Sequence, residues 1–184
     1  DFCLSRGLGD VYKRQAHAMY KPVSVVPPLA SRPHDHSHCV SHALAEAEAI
    51  CARQGLRLTA LRKRVLELVW ASHKPLGAYD ILGVLSEEDG RRAAPPTVYR
   101  ALDFLLENGL VHRIASLNAF VGCSHPAHAH QSQFLICRNC SAAVELEQTA
   151  ISDAIVRGAK GVGFVVESQT VEVVGLCAGC QGSK

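Results

Sequence analysis

The chain has 184 residues, of which 48% are hydrophobic, and a formal net charge of +2. This composition suits one domain or two small ones with a packed core, and it excludes a membrane span, because no run approaches the ~18 apolar residues required. The short apolar stretch at residues 23–30 is interrupted by two prolines and is a poor signal-peptide core. Eight cysteines without a secretion signal therefore predict reduced thiols in the cytoplasm, available for metal or redox chemistry.

The N-terminal segment, residues 1–38, lacks hydrophobic periodicity and is expected to be a disordered tail. Its first residues look non-native, and Met19 is the expected native start. The histidine-rich run at residues 34–42 has two interpretations, a weak metal-binding tract or part of the unstructured tail.

From Val40 the sequence changes to helical periodicity. Four helices are predicted, the second beginning after the N-cap residue Thr59 and the fourth opening at Pro95. The stretches LVHRIA and NAFVGC then alternate like two short strands. Helices followed by a β-hairpin are typical of a winged helix-turn-helix, and this predicts a DNA-binding domain over residues 39–123.

The C-terminal segment, residues 124–184, predicts a separate α/β module, which makes the fold class α+β. Its pattern is strand, strand, a helix at residues 149–161 and a long β-branched strand at residues 164–176. A module this small needs a metal or a partner subunit for stability, so dimerisation is expected here.

Basic residues cluster at the start of the second helix, with no acid among residues 53–64. Such a cluster can contact nucleic-acid phosphate, or it can be a solvated helix face. Its members are Arg53, Arg57, Arg62, Lys63 and Arg64.

Two C-x-x-C pairs, Cys137 with Cys140 and Cys177 with Cys180, each follow a predicted strand. One strand–helix–strand excursion separates them, and this can bring both turns together around one tetrahedral zinc ion. A site closed by four thiolates would be structural, and redox pairs or disulfides are the alternatives.

A second set of potential ligands brackets the boundary between the two predicted domains. Imidazole, thiolate and carboxylate together suit zinc, and a site drawing ligands from both domains would make their relative angle depend on metal. Not every member is needed. The set is His112, Cys123, His125, His128, His130 and Glu145.

The segment PPTVYRALDFLLENGLVHRIASLNAFVGCSHP, followed by QFLICRNC and LCAGC, closely resembles the ferric/zinc uptake regulator (Fur) family, in its zinc uptake regulator branch. The resemblance implies a homodimeric bacterial repressor that binds an operator in double-stranded DNA, with no small-molecule substrate. It also implies two zinc ions per subunit, the structural one held by the four C-x-x-C cysteines. The implied regulatory ligands are His112, Cys123, His130 and Glu145, with His125 or His128 as a replacement for His130.

The same resemblance places the recognition helix at residues 95–108 and implies DNA contacts by Tyr79 and Arg100. Arg100 would read a guanine in the major groove, with Thr97 and Tyr99 within a turn of it. Gly83 and Ser86 stand where some zinc-branch members have opposite charges that join dimers. The expected phosphate contacts are Arg57, Arg62, Lys63 and Arg64.

Three other functions remain open on the sequence. A His/Cys/Glu zinc site can activate water in a hydrolase or deaminase, but the H-x-E motif of deaminases is absent. An iron or peroxide sensor of the same family is disfavoured by Cys123. A DNA-binding protein with purely structural zinc is the third.

Overall fold

The computed structural model describes residues 36–71, 74–88, 94–126 and 132–181. Residues 1–35 of the predicted tail, with the proposed start at Met19, lie outside the described residues. The prediction is wrong for residues 36–38, which are helical. Among the helices of the described residues, none has the length and apolar character needed to cross a bilayer. In chain order the elements are α1 (His36–Arg53), α2 (Ala60–Trp70), β1 (Leu76–Gly77), α3 (Ala78–Glu88), α4 (Pro95–Glu107), β2 (Val111–Ile114), β3 (Ala119–Gly122), β4 (Gln133–Cys137), β5 (Ala143–Leu146), α5 (Thr149–Gly161), β6 (Val171–Gly175) and α6 (Ala178–Gln181).

The helix ends follow the capping residues in the sequence. Thr59 caps α2, since its hydroxyl accepts a hydrogen bond from the Arg62 backbone N–H at 3.4 Å. Gly55 and Gly109 follow α1 and α4 with φ of +66° and +65°, a conformation that glycine adopts without a Cβ penalty. Helix α1 begins at His36, four residues before the predicted start.

The first core is formed where α1 to α4 pack together and against the hairpin. Leu66, Ile81, Leu102 and Leu105 are at most 1% exposed there, and each such side chain contributes about 1.5–3 kcal/mol by leaving water. Cys51 lies in the same core at 2% exposure, as its place on an apolar stripe predicts.

The predicted hairpin is part of a three-stranded antiparallel sheet with the order β1-β3-β2. Val111 pairs with Gly122 and His112 with Val121, so β2 begins beside the end of β3. The two-residue strand β1, absent from the sequence prediction, pairs with β3. Helices α2 to α4 with this sheet form the expected winged helix-turn-helix, and the sheet is called the wing below.

The second sheet has the order β5-β4-β6, with β4 antiparallel to β5 and parallel to β6. The predicted long strand at residues 164–176 is wrong, because only Val171–Gly175 is a strand. A strand extends only as far as a neighbour can pair with it. The parallel ladder begins at Gln133 opposite Val171, so residues 164–170 have no partner in this sheet.

A small second core joins the wing to this sheet. Ile114 of β2 packs with Phe134 and Ile136 of β4, and all three are at most 4% exposed. Partly buried Val121 and Ala143 cover its sides. The wing therefore lies directly on the C-terminal sheet in the structure.

Candidate metal centres and nucleic-acid interface

The parallel pairing of β4 and β6 brings the two C-x-x-C turns together. Cys137 ends β4 opposite Gly175, and one residue separates Cys177 from the end of β6. The Sγ atoms of Cys137, Cys140, Cys177 and Cys180 all lie within 4.8 Å of one another. The 3.7 Å between Cys140 Sγ and Cys177 Sγ is far longer than the ~2.05 Å of a disulfide. It matches the ~3.8 Å between two thiolates bound tetrahedrally at ~2.3 Å from zinc.

Backbone N–H groups favour the thiolate form of Cys137 in this cluster. The N–H of Cys177 lies 3.4 Å from Cys137 Sγ and donates to it. This contact, followed by the N–H of Cys140, lowers the pKa of Cys137 to about 6. Cys137 is therefore a thiolate at neutral pH, which is the form that binds metal.

A second cluster forms where the wing meets the C-terminal sheet. His112 of β2, Cys123 at the end of β3 and Glu145 of β5 place their ligand atoms within 4.8 Å of one another. His112 Nε2 lies 3.0 Å from Glu145 Oε1, and both side chains are at least 85% buried, at 15% and 11% exposure. Imidazole nitrogen, thiolate and carboxylate oxygen form a donor set that zinc accepts. We refer to these three residues as the mixed cluster.

Two serines, not predicted from the sequence, orient ligands of the mixed cluster. Ser132 Oγ lies 2.9 Å from His112 Nδ1, which leaves Nε2 directed at Glu145. Ser124 donates to Glu145 Oε2 from its hydroxyl at 2.8 Å and its backbone N–H at 3.3 Å. Such outer contacts fix the orientation of metal ligands. Their only sequence signal is that Ser124 directly follows Cys123.

Burial governs the protonation of the mixed cluster. Desolvation, then the negative charge of Glu145, raises the pKa of Cys123 to about 12. Without a cation the thiol therefore keeps its proton at neutral pH, and a bound divalent cation would displace it.

The remaining predicted histidines divide between described and undescribed residues. His125 is described and exposed, and its side chain is not part of the mixed cluster. His128 and His130 lie outside the described residues. The identity of a fourth ligand stays a prediction.

Helix α4, the predicted recognition helix, presents its polar residues away from the core. Val98 is 1% exposed, whereas Thr97, Tyr99 and Arg100 on the other side are exposed. Tyr79 on α3 is 72% exposed. The structure thus leaves these four side chains accessible to a ligand.

Two residues of the basic cluster, Lys63 and Arg64, form ion pairs within the protein. Lys63 forms an ion pair with Glu48, and Arg64 pairs with Glu67 and Glu88. Hydrogen bonds to Glu88 and then Glu67 raise the pKa of Arg64 above its ordinary value.

Arg62 and Arg57 are placed differently. The guanidinium of Arg62 lies 3.5 Å from the centre of the Phe104 ring and donates to the Arg57 carbonyl. Arg62 and Arg100 line an open groove between the start of α2 and α4, and Arg57 is exposed. Of the four predicted phosphate contacts, only Arg57 and Arg62 have no acidic partner recorded in the described part of the chain.

A sequence model of the ferric uptake regulator family matches residues 53–174, which include α4, the mixed cluster and the first C-x-x-C pair, Cys137 with Cys140. The chain belongs to the ferric uptake regulator family. The resemblance in the sequence is thereby confirmed.

Within the family, relatives named for zinc are the more similar. The zinc uptake regulation protein of Escherichia coli (strain K12) is 42% identical over 138 residues, covering 74% of this chain and 80% of the relative. A zinc uptake regulator solved in complex with zinc and DNA is 40% identical with a TM-score of 0.73, covering 77% of this chain and 95% of that one. The crystal structure of holo XcZur is 44% identical with a TM-score of 0.71, covering 81% of this chain and 100% of that one. These likenesses confirm the α+β fold with a helical N-terminal domain.

The structure also describes the two positions at which the sequence departs from some zinc-branch members of the family. Gly83 and Ser86 lie on α3, where Ser86 donates to the Leu82 carbonyl at 2.7 Å. Neither residue supplies a charge for a contact between dimers.

Proposed function

We propose that the chain is a zinc-responsive, DNA-binding transcriptional repressor that works in the cytoplasm as a homodimer and controls zinc uptake genes. The observation that carries the proposal is the mixed cluster, whose ligand atoms from the wing and from β5 lie within 4.8 Å of one another. The likeness to regulators solved with zinc and DNA supports zinc as the metal and DNA as the partner.

Two zinc ions per subunit are proposed. The four-thiolate cluster has the donor set of a structural site, closed to further ligands. The mixed cluster, completed by His130, has the donor set of a regulatory site. Bound there, zinc would supply the positive charge that holds a thiolate, an imidazole and a carboxylate together.

The residues of the mixed cluster transmit occupancy to the DNA reader through the wing. His112 and Cys123 belong to the two hairpin strands that follow α4, and Glu145 belongs to the other sheet. When these three residues are held at fixed distances from one another, the wing and α4 keep one orientation relative to the second sheet. A coupling of ~3 kcal/mol between metal and operator would change operator affinity about 150-fold.

Homodimerisation is proposed through the C-terminal module, residues 124–184. Its surface carries exposed apolar side chains on α5, on β6 and at residues 162–165, which a subunit interface would cover. Dimeric readers of this class place two recognition helices about 34 Å apart. Residues 39–123 are the proposed DNA-binding domain, with contacts from Tyr79, Thr97, Tyr99, Arg100, Arg57 and Arg62, and weaker phosphate contacts from Lys63 and Arg64.

The test is operator binding measured against buffered free zinc. Fluorescence anisotropy on a labelled zinc-transporter promoter should show affinity rising with free zinc, while circular dichroism shows a folded protein throughout. Equal affinity before and after removal of the exchangeable zinc would reject the sensor function and leave a DNA-binding protein with structural zinc. Hydrolysis or deamination by the zinc form would instead indicate an enzyme.

A further inference from the structure

A second polar contact joins the wing to the C-terminal sheet, and it contains no predicted metal ligand. The turn between β2 and β3 directs two successive backbone N–H groups at Glu172 of β6. The N–H of Ala115 lies 2.7 Å from Glu172 Oε1, and that of Ser116 lies 3.1 Å from Oε2. One carboxylate thus accepts from two backbone donors, 57 and 56 residues away in the chain.

Contacts within the wing also contribute to the conformation of its turn. Asn118 adopts a φ of 48°, and its side-chain oxygen accepts from Arg113 at 2.8 Å. These local contacts support the turn that directs the two N–H groups at Glu172. Hydrogen bonds from the Ser116 side chain and then from the Ala115 and Ser116 backbones lower the pKa of Glu172, so it is ionised at neutral pH. Charge-assisted hydrogen bonds of this kind are about twice as strong as neutral ones.

Glu172 and Glu145 lie on opposite sides of the same strand. In the sheet register, Phe134 of β4 is paired with Glu145 on β5 and with Glu172 on β6. Phe134 is 1% exposed, packs with Ile114 of the wing and lies with its ring centre 5.6 Å from that of His112. The wing thus rests on Phe134, with a carboxylate contact on either flank.

The two flanking contacts restrict different motions. With the mixed cluster alone, the wing could still rotate about that one edge of the sheet, because the apolar contact at Phe134 is not directional. A second anchor on the β6 side removes this rotation. The orientation of α4, which precedes β2 directly, then depends on both anchors.

We infer that Glu172 is a positioning residue, a metal-independent anchor of the wing turn on which both operator affinity and zinc affinity at the mixed cluster depend. This inference rests on the proposed function. Operator and zinc both bind the wing orientation that this contact favours, so loss of the anchor weakens both.

The test compares Glu172→Gln with Glu167→Gln, which removes the same charge from an exposed side chain shortly before β6. Glutamine keeps the size of the side chain but replaces one acceptor oxygen with a donor. One of the two hydrogen bonds from the wing backbone is therefore lost. At saturating zinc we expect operator affinity to fall about tenfold in Glu172→Gln, the effect of losing one hydrogen bond to a charged group. Chelator competition should show weaker zinc binding at the mixed cluster, with four-thiolate occupancy and dimer mass unchanged. Glu167→Gln should match the wild type.

Hydrogen exchange gives a readout that does not depend on DNA. The Ala115 and Ser116 amides should be protected in the wild type and exchange faster in Glu172→Gln. If Glu172→Gln matches Glu167→Gln in operator affinity and zinc affinity, the inference fails, while the zinc dependence of the wild type still supports the proposed function. If the wild type shows no zinc-dependent DNA binding, the proposed function fails, and unchanged amide exchange would then reject the anchor itself.

Discussion

Cys123 and Cys137 are both buried thiols, at 2% and 4% exposure, but their surroundings shift their pKa values in opposite directions. Backbone N–H groups lower the pKa of Cys137 to about 6. Burial and the charge of Glu145 raise that of Cys123 to about 12. A preformed thiolate suits a permanent structural ion, whereas a protonated thiol gives a site that exchanges metal against protons.

The two cysteines should therefore give different phenotypes on substitution. Cys123→Ser should abolish zinc-dependent operator binding but leave a folded dimer with one zinc per subunit. Cys137→Ser should lose the structural zinc and unfold the C-terminal module, because that metal site contributes folding free energy outright. Native mass spectrometry, circular dichroism and operator anisotropy measure the three properties. Exchanged phenotypes would reverse the assigned roles.

Zinc binding at the mixed cluster should strengthen as pH rises. Since the pKa of Cys123 is about 12, its thiol is protonated throughout pH 6.5–8.5, and each zinc bound releases that proton. The apparent zinc affinity should therefore increase by about tenfold per pH unit from this group alone. Chelator competition across the range measures the slope. A pH-independent affinity in the wild type would contradict the prediction.

Ser132 should tune zinc affinity without binding the ion. Removal of its hydroxyl in Ser132→Ala frees the His112 ring from its 2.9 Å contact, and loss of such an outer contact typically weakens metal binding about 10–100-fold. The exposed Ser168→Ala is the control. Equal zinc affinities in both variants would show that Ser132 has no part in orienting His112.

At the level of elements, strand β3 links the DNA-binding core to the mixed cluster. Gly122 precedes Cys123 and lies against the indole of Trp70 at the end of α2. A Cβ at Gly122 would lie 2.1 Å from Trp70 Cε2, well inside the ~3.5–4.0 Å of an ordinary carbon contact. Only glycine fits there without moving the ring.

Gly122→Ala should consequently destabilise the protein by about 1–3 kcal/mol, the usual range for overpacking a core. Thermal unfolding measures the loss, and the fluorescence of Trp70, the single tryptophan of the chain, reports displacement of the ring. The control is Gly83→Ala on α3, where a Cβ meets no atom within 4 Å. It should stabilise the helix by up to about 1 kcal/mol. Similar unfolding temperatures for the two variants would contradict the close packing.

At the scale of the whole molecule, the C-terminal module exposes apolar side chains that a single chain leaves uncovered. Val162 is 82% exposed, Val165 81% and Phe164 65%, and no residue of α5 is buried. Phe164 and Val165, which the sequence prediction placed in a strand, lie on the surface. Such a patch is characteristic of an interface between proteins.

Val165→Asp should accordingly weaken the dimer. A charge buried without a partner costs several kcal/mol, so the dimer dissociation constant should rise more than about tenfold. Sedimentation equilibrium measures this, with Leu56→Asp on the N-terminal domain as the control. An unchanged dissociation constant for Val165→Asp would place the interface elsewhere.

Local patterns in the sequence predicted the five longer helices, several of their caps and the two C-x-x-C pairs. Thr59, Gly55, Gly109 and the C-x-x-C spacing each act through neighbours only a few residues away, so their effects can be recognised along the chain. The family resemblance was equally local, since it depended on motifs in order.

What only the tertiary structure decided were pairings between distant residues. The length of β6 depends on the strand beside it, and two ion pairs, of Lys63 and of Arg64, depend on acids of α1 and α3. The contacts of Ser132 with His112 and of Glu172 with the wing turn join residues 20 and more than 50 positions apart. Periodicity and capping carry no information on such contacts, because they arise only when separate elements pack against one another.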